Sequence, residues 1–109
     1  MMRLLLLALA LVLSPLQTTA QVEDNAVWID VRTASEFDAG HIEGAVRIPW
    51  DGIEKGVAEL GLAKDTPIYL YCGSGGRSGK AKQRLDALEF TAVTNAGGLD
   101  EARKLVQQD

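Results

Sequence analysis

Downstream of residue 25 the apolar positions alternate between two patterns. Ala26-Val27-Trp28-Ile29-Asp30-Val31, Ala45-Val46-Arg47-Ile48-Pro49 and Pro67-Ile68-Tyr69-Leu70-Tyr71 are short runs without a helical period and predict strands. Pro49 ends the second run, and Pro67 opens the third where a missing N–H does least harm. The third is apolar and β-prone throughout, which suits a central strand covered on both faces. Val93 centres a last, shorter strand.

Helical signals lie between these runs. Thr33-Ala34-Ser35-Glu36 has the spacing of a capping box, so a short helix is expected after it, stopping at Gly40. Ile53, Val57 and Leu60 share one face of a second helix that Gly61 terminates. Ala81, Leu85 and Leu88 repeat that spacing in a helix beginning near Ser78, with Lys80, Lys82 and Arg84 largely outside the stripe. Asn95-Ala96-Gly97-Gly98 leads into a closing helix around Leu99, Ala102, Leu105 and Val106. Strands alternating with helices through short connections predict an α/β fold, an open sheet of mostly parallel strands with helices on both faces.

The first residues follow neither pattern. Arg3 precedes ten uninterrupted apolar residues, 4–13, then the breaker Ser14-Pro15 and a stretch ending in Thr18-Thr19-Ala20. Such a core is too short to cross ~30 Å of hydrocarbon as a helix, which takes about 20 residues. Segment 1–20 is therefore expected to be a signal peptide cleaved after Ala20, exporting a single domain, 21–109, to the periplasm or the medium. About 89 residues remain, near the lower end of what one hydrophobic core holds together.

Charge narrows the partners. The chain has 11 Lys and Arg against 15 Asp and Glu, a net charge of −4, which gives no reason to expect a nucleic-acid partner. No basic run or second apolar span follows, so no membrane partner is expected after cleavage. One histidine and one cysteine cannot supply the three or more ligands of a protein zinc site, and no metal or cofactor is expected.

Exported small domains often pair their cysteines, yet Cys72 is alone, which excludes a disulfide within the chain. A lone cysteine is commonly a small buried hydrophobe or a link to another chain. Its surroundings, Tyr71-Cys72-Gly73-Ser74-Gly75-Gly76-Arg77-Ser78-Gly79, favour a third role. On the predicted fold Cys72 ends a parallel strand, at the edge where open α/β sheets bind ligands. Gly73, Gly75 and Gly76 let the loop curl with its N–H groups inward, joining those of the following helix. A thiol at that centre has its pKa lowered, and the thiolate is the reactive form. Arg77 adds a planar fork of donors suited to an oxyanion. Taken singly, the glycines make a tight turn, Ser78 an N-cap and Arg77 a solvated charge; together they point to a nucleophile in an anion-holding loop. Cysteine-dependent phosphatases resemble a Cys followed by five residues and then Arg. Only four separate Cys72 from Arg77, a tighter loop suited to a smaller guest such as one sulfur atom.

Cys72-Gly73-Ser74-Gly75-Gly76-Arg77-Ser78 resembles the active-site loop of the rhodanese family, Cys-x-x-Gly-x-Arg-Ser. Trp28-Ile29-Asp30-Val31-Arg32 with Ser35-Glu36-Phe37 is similar to its first motif, Gly40-His41-Ile42-Glu43-Gly44-Ala45 with Ile48-Pro49 to its second, and Asn95-Ala96-Gly97-Gly98-Leu99 to its last. Glu101-Ala102-Arg103 departs from the tryptophan many members carry there. The resemblance implies a rhodanese-like fold and a ping-pong thiosulfate sulfurtransferase. Cys72 is then the catalytic nucleophile, with Gly73, Ser74, Gly75, Gly76, Arg77 and Ser78 around the substrate. Thiosulfate is the donor, cyanide or a thiol the acceptor. A sulfur carrier or binding module acting through a partner protein is the alternative, and a phosphatase or arsenate reductase is disfavoured by loop length. The resemblance also places His41 in a structural turn rather than as a general base. Asp30 and Arg32 flank Val31 on one side of the strand and are placed to pair. Trp50 lines the pocket mouth or caps the core, and Lys80 and Lys82 are expected to be solvated.

Overall fold

The computed structural model describes residues 24–107. The expected signal segment and its cleavage site lie outside them. Among the described residues no helix is long and apolar enough to cross a membrane.

Four parallel strands form one sheet in the order β2-β1-β3-β4. They are β1 (Val27–Asp30), β2 (Val46–Arg47), β3 (Ile68–Cys72) and β4 (Val93–Gly98), separated by α1 (Ala34–Ala39), α2 (Ile53–Leu60) and α3 (Gly76–Ala87) and followed by α4 (Leu99–Val106). A 3₁₀ turn, Trp50–Gly52, links β2 to α2. β3 is an inner strand paired on both edges, as its apolar run predicts.

Side chains of β3 alternate between two apolar layers. Ile68, Leu70 and Cys72 face Ile53 and Val57 of α2 and Ala81 and Leu85 of α3 in the larger cluster. Tyr71 faces Ile42, Ala96 and Ala102 in a smaller one, which Leu99 and Leu105 of α4 complete. Ile29, Ile53, Ile68, Leu70 and Leu85 are each fully buried, every one contributing ~1.5–3 kcal/mol by area, so the larger layer carries most of the hydrophobic stabilisation. It is also the layer against which Cys72 is set.

Several boundaries follow their signals. The Thr33–Glu36 capping box opens α1, and Gly40 caps its end. Gly61, at φ +67°, closes α2 in the left-handed conformation. Four expectations are corrected. β1 and β2 are shorter than their apolar runs, because the Arg32 N–H is taken by the Asp30 carboxylate, the Ala45 N–H by the Ile42 carbonyl, and Pro49 has no N–H to give. Leu60 and Leu88 end their stripes exposed, at 42% and 39%, since the first is the last residue of α2 and the second lies beyond α3. β4 continues through Asn95-Ala96-Gly97-Gly98, read from the sequence as a lead-in to a helix. A register shift between Leu70 and Cys72, with Gly97 at φ +85°, absorbs the extra residue while Gly98 still pairs with Cys72. Finally, α3 begins at Gly76 rather than near Ser78. Gly75 takes φ +105° as its N-cap, so Gly76 and Arg77 are already helical.

Candidate active site

Cys72 is the final residue of β3, and the early start of α3 brings the first helical turn directly over its sulfur. The residue is 1% exposed. Its Sγ accepts the N–H of Gly75 at 3.0 Å and that of Ser78 at 3.4 Å, and the Ser78 hydroxyl lies 3.4 Å away. Burial pushes the thiol pKa up, but the Ser78 hydroxyl and amide, with the amides of Ser74 and Gly75, outweigh it and hold the thiol below its ordinary value. The physics is that of a helix N-terminus holding an anion, with the sulfur as the anion.

The expected loop residues divide by role. Gly75 and Ser78 donate to the sulfur, and Ser78 is fully buried within the first turn of α3, not its N-cap. Ser74 contributes its amide. Gly73 carries the Arg77 guanidinium close above it, where an added Cβ would stand 3.2 Å from Nη2. Gly76 faces open space, so packing does not require a glycine there. Gly98 packs on the opposite side of the loop, where a Cβ would overlap the Gly73 carbonyl oxygen.

Arg77 is not a free cation. Its Nη1 and Nη2 donate to Oε1 and Oε2 of Glu36 at 2.8 and 3.0 Å, with both side chains about one-third exposed. Arg77, then Thr33, holds the Glu36 carboxyl down at about 2. Sequence spacing marked Glu36 only as the reciprocal half of a capping box, and its Oε1 does accept the Thr33 N–H at 3.1 Å. Its second partner is 41 residues away in the chain and left no local signal.

Beneath the loop, Arg32 Nε and Nη2 bind the Asp30 carboxylate at 2.9 and 2.7 Å, and Nη2 also reaches the Gly40 carbonyl at 2.7 Å. This pair, expected from the strand spacing, ties β1 to the end of α1. Tyr71, one residue before the cysteine, accepts the Ile42 N–H at 3.0 Å, and burial pushes its phenol up to about 12. A cleft of about 310 Å³ opens beside the loop, lined by Arg32, Gly73, Ser74, Leu99, Asp100 and Glu101.

The other residues singled out lie elsewhere. His41 is exposed, stacks on Phe37 at 3.6 Å and sits 2.8 Å from the Phe37 carbonyl through Nδ1. Trp50 is half-buried against the larger core, with Lys80 and Arg84 about 5 Å from its ring centre. Lys80 is exposed, and Lys82 pairs with Asp86 at 2.9 Å. Asn95 stands in the last of the motifs quoted from the sequence without a role of its own, yet it bonds both Gly75 and Ser78. An Asn within a strand, where the residue is depleted, was the available sign.

The model of the rhodanese-like domain matches residues 14–104. The thiosulfate sulfurtransferase PspE of Escherichia coli (strain K12) is 38% identical over 96 residues, covering 88% of each chain. A tRNA uridine(34) hydroxylase of Escherichia coli O1:K1 / APEC is 32% identical over 99 residues, 84% of this chain but 28% of that protein. Among solved structures, a rhodanese with anions from E. coli superimposes with a TM-score of 0.67 at 36% identity, over 70% of this chain and 89% of the other.

Proposed function

The chain belongs to the rhodanese-like family, whose membership supports sulfur transfer as its general activity, and we propose that it is a thiosulfate sulfurtransferase working through a persulfide on Cys72. The observation that carries this reading is the hydrogen bonding of Sγ by Gly75 and Ser78, which favours the thiolate at the end of β3.

In the first step the Cys72 thiolate attacks the outer sulfur of thiosulfate. A bond forms between Sγ and that sulfur, the sulfur–sulfur bond of thiosulfate breaks, and its electron pair leaves with sulfite. One anion replaces another, so the remaining persulfide carries its negative charge on the terminal sulfur. Gly76 and Arg77 hold the first two positions of α3, where backbone N–H groups have no intrahelical acceptor, and these donors suit that terminal sulfur. In the second step cyanide or a thiolate attacks the terminal sulfur and Cys72 leaves as the thiolate again. No proton has to move at either sulfur, so His41 is not needed as a base. The covalent intermediate divides one transfer into two easier ones.

Arg77 meets the sulfonate end of the donor. A guanidinium has five N–H donors, two of which Glu36 occupies, leaving others for sulfonate oxygens. The ion pair fixes the fork in place and cancels much of its long-range field, so attraction acts at contact distance. Gly73, lying under that fork, leaves room for the sulfonate.

Export to the periplasm or medium as a single domain, expected from segment 1–20, is part of this proposal. Initial rates with thiosulfate and cyanide varied together should give parallel double-reciprocal lines. Intersecting lines would contradict a persulfide that forms before the acceptor binds. A persulfide that forms but turns over with no small acceptor would favour the alternative of a carrier serving a protein partner.

A further inference from the structure

We propose that Asn95 is a positioning residue that sets the availability of the Ser78 hydroxyl to the Cys72 sulfur, as the competing acceptor of its one proton. The inference rests on Cys72 as the reactive sulfur but not on the identity of the sulfur donor.

Asn95 projects from β4 onto the first turn of α3. Its Oδ1 accepts the Ser78 hydroxyl at 2.7 Å and the Gly97 N–H at 2.9 Å, while its Nδ2 donates to the Gly75 carbonyl at 3.1 Å. Ser78 has one hydroxyl proton and three neighbours able to take it: Asn95 Oδ1 at 2.7 Å, the Gly75 carbonyl at 3.2 Å and Cys72 Sγ at 3.4 Å. The Gly75 carbonyl already accepts the Gly79 N–H at 3.0 Å as well as Asn95 Nδ2, which fills its two lone pairs. The choice for the Ser78 proton is therefore between Asn95 and the sulfur.

Those two states match the two states of the cysteine. With a neutral thiol, the Ser78 proton rests on Asn95 and the S–H can donate to Ser78 Oγ. On ionisation the hydroxyl turns its proton to the sulfur. Asn95 Oδ1, on an exposed side chain, then keeps the Gly97 N–H, so the exchange leaves it with a partner. The Gly75 carbonyl keeps the Gly79 N–H when Asn95 Nδ2 is removed, so the Gly75 N–H that binds Sγ does not depend on Asn95.

Charged groups around the sulfur are held by other partners. Arg77 of α3 pairs with Glu36 of α1, and Arg32 pairs with Asp30 of β1. Glu101 of α4 takes the Gly98 N–H, and Asp100 lines the cleft beyond Ser74. Replacing Asn95 by an apolar residue changes none of these charges, so its effect on the sulfur isolates the hydrogen-bond path.

The test reads the thiol itself. The rate of Cys72 alkylation by iodoacetamide is measured against pH in the parent, Asn95→Leu, Asn95→Ala, Ser78→Ala and the double variant Asn95→Ala/Ser78→Ala, with melting followed in parallel. Either Asn95 variant that melts cooperatively should show its alkylation midpoint lowered by about one pH unit, a gain of roughly tenfold in thiolate below the midpoint, because the Ser78 proton then reaches the sulfur without giving up a bond to Asn95. Ser78→Ala should raise the midpoint, and in the double variant the effect of Asn95 should vanish, leaving the Ser78→Ala midpoint, because the two residues act on one path. An unchanged or raised midpoint in a folded Asn95 variant overturns the proposal, and full additivity with Ser78→Ala overturns the route through the hydroxyl. Alkylation needs no thiosulfate, so failure of the thiosulfate reading leaves this result standing.

Discussion

Glu36 and Arg77, 41 positions apart, meet in a two-pronged ion pair at 2.8 and 3.0 Å that joins the first turn of α1 to the rim of the cysteine loop. The same carboxylate accepts the Thr33 N–H, so the capping of a short helix and the orientation of a site residue depend on one side chain. An arginine held in this way presents a fixed fork to a substrate, at the expense of much of its charge.

Arg77→Ala should therefore harm thiosulfate selectively. Loss of a charge-assisted contact to the sulfonate lowers kcat/KM for thiosulfate by about 10- to 100-fold. An uncharged persulfide donor, which has no sulfonate to place, should lose several-fold less. Equal losses with the two donors would remove Arg77 from sulfonate binding.

The pH dependence follows from two depressed values with separate windows. The Cys72 thiol is held below its ordinary value, so kcat/KM for thiosulfate should rise with pH through a single ionisation at that lowered value and then stay level. Glu36 remains charged throughout that range because its value is about 2. The stabilisation from its depressed pKa is fully present above the ordinary carboxylate range and is lost as pH falls through about 2. Glu36→Gln should flatten the loss of stability in that acid window, seen as a smaller drop in Tm between about pH 4.5 and 2. An equally steep drop in the variant would assign acid sensitivity to other carboxylates.

Two glycines of the site should respond in opposite directions to alanine. At Gly98 the new Cβ overlaps the Gly73 carbonyl, so the loop must shift, and a misplacement of about 1 Å can lower turnover by ~100-fold. At Gly76 the Cβ enters open space at the first position of a helix, and reduced freedom of the unfolded chain should stabilise by ~0.4–1 kcal/mol. For a domain of this size that is a Tm increase of roughly 2–8 °C. Turnover assays and melting curves on the two variants check the contrast, and a fully active Gly98→Ala would show that the loop tolerates the displacement.

Local signals in the sequence were read wherever a few neighbouring residues determine the outcome. The Thr33–Glu36 box, the Gly61 stop, the inner position of β3 and the placing of Cys72 at its end all depend on near neighbours. Errors arose where distant parts of the chain decide. The pairing of β4 with β3 draws Asn95-Ala96-Gly97-Gly98 into a strand with a bulge, although its glycines signal a turn. Leu60 and Leu88 satisfy a helical spacing but fall at helix ends, beyond the reach of the sheet. At the site, the bonding of the Cys72 sulfur by its own loop was legible because Cys72 and Ser78 are six residues apart. Glu36 and Asn95 reach the loop from other elements, and only the fold brings them there.

The most direct test of the central claim is the mass of the protein after treatment with thiosulfate and removal of excess reagent. A persulfide on Cys72 predicts a gain of one sulfur atom, mapped to the peptide carrying that residue and lost on addition of cyanide with release of thiocyanate. No gain in mass, or a gain that persists in Cys72→Ala, would contradict it.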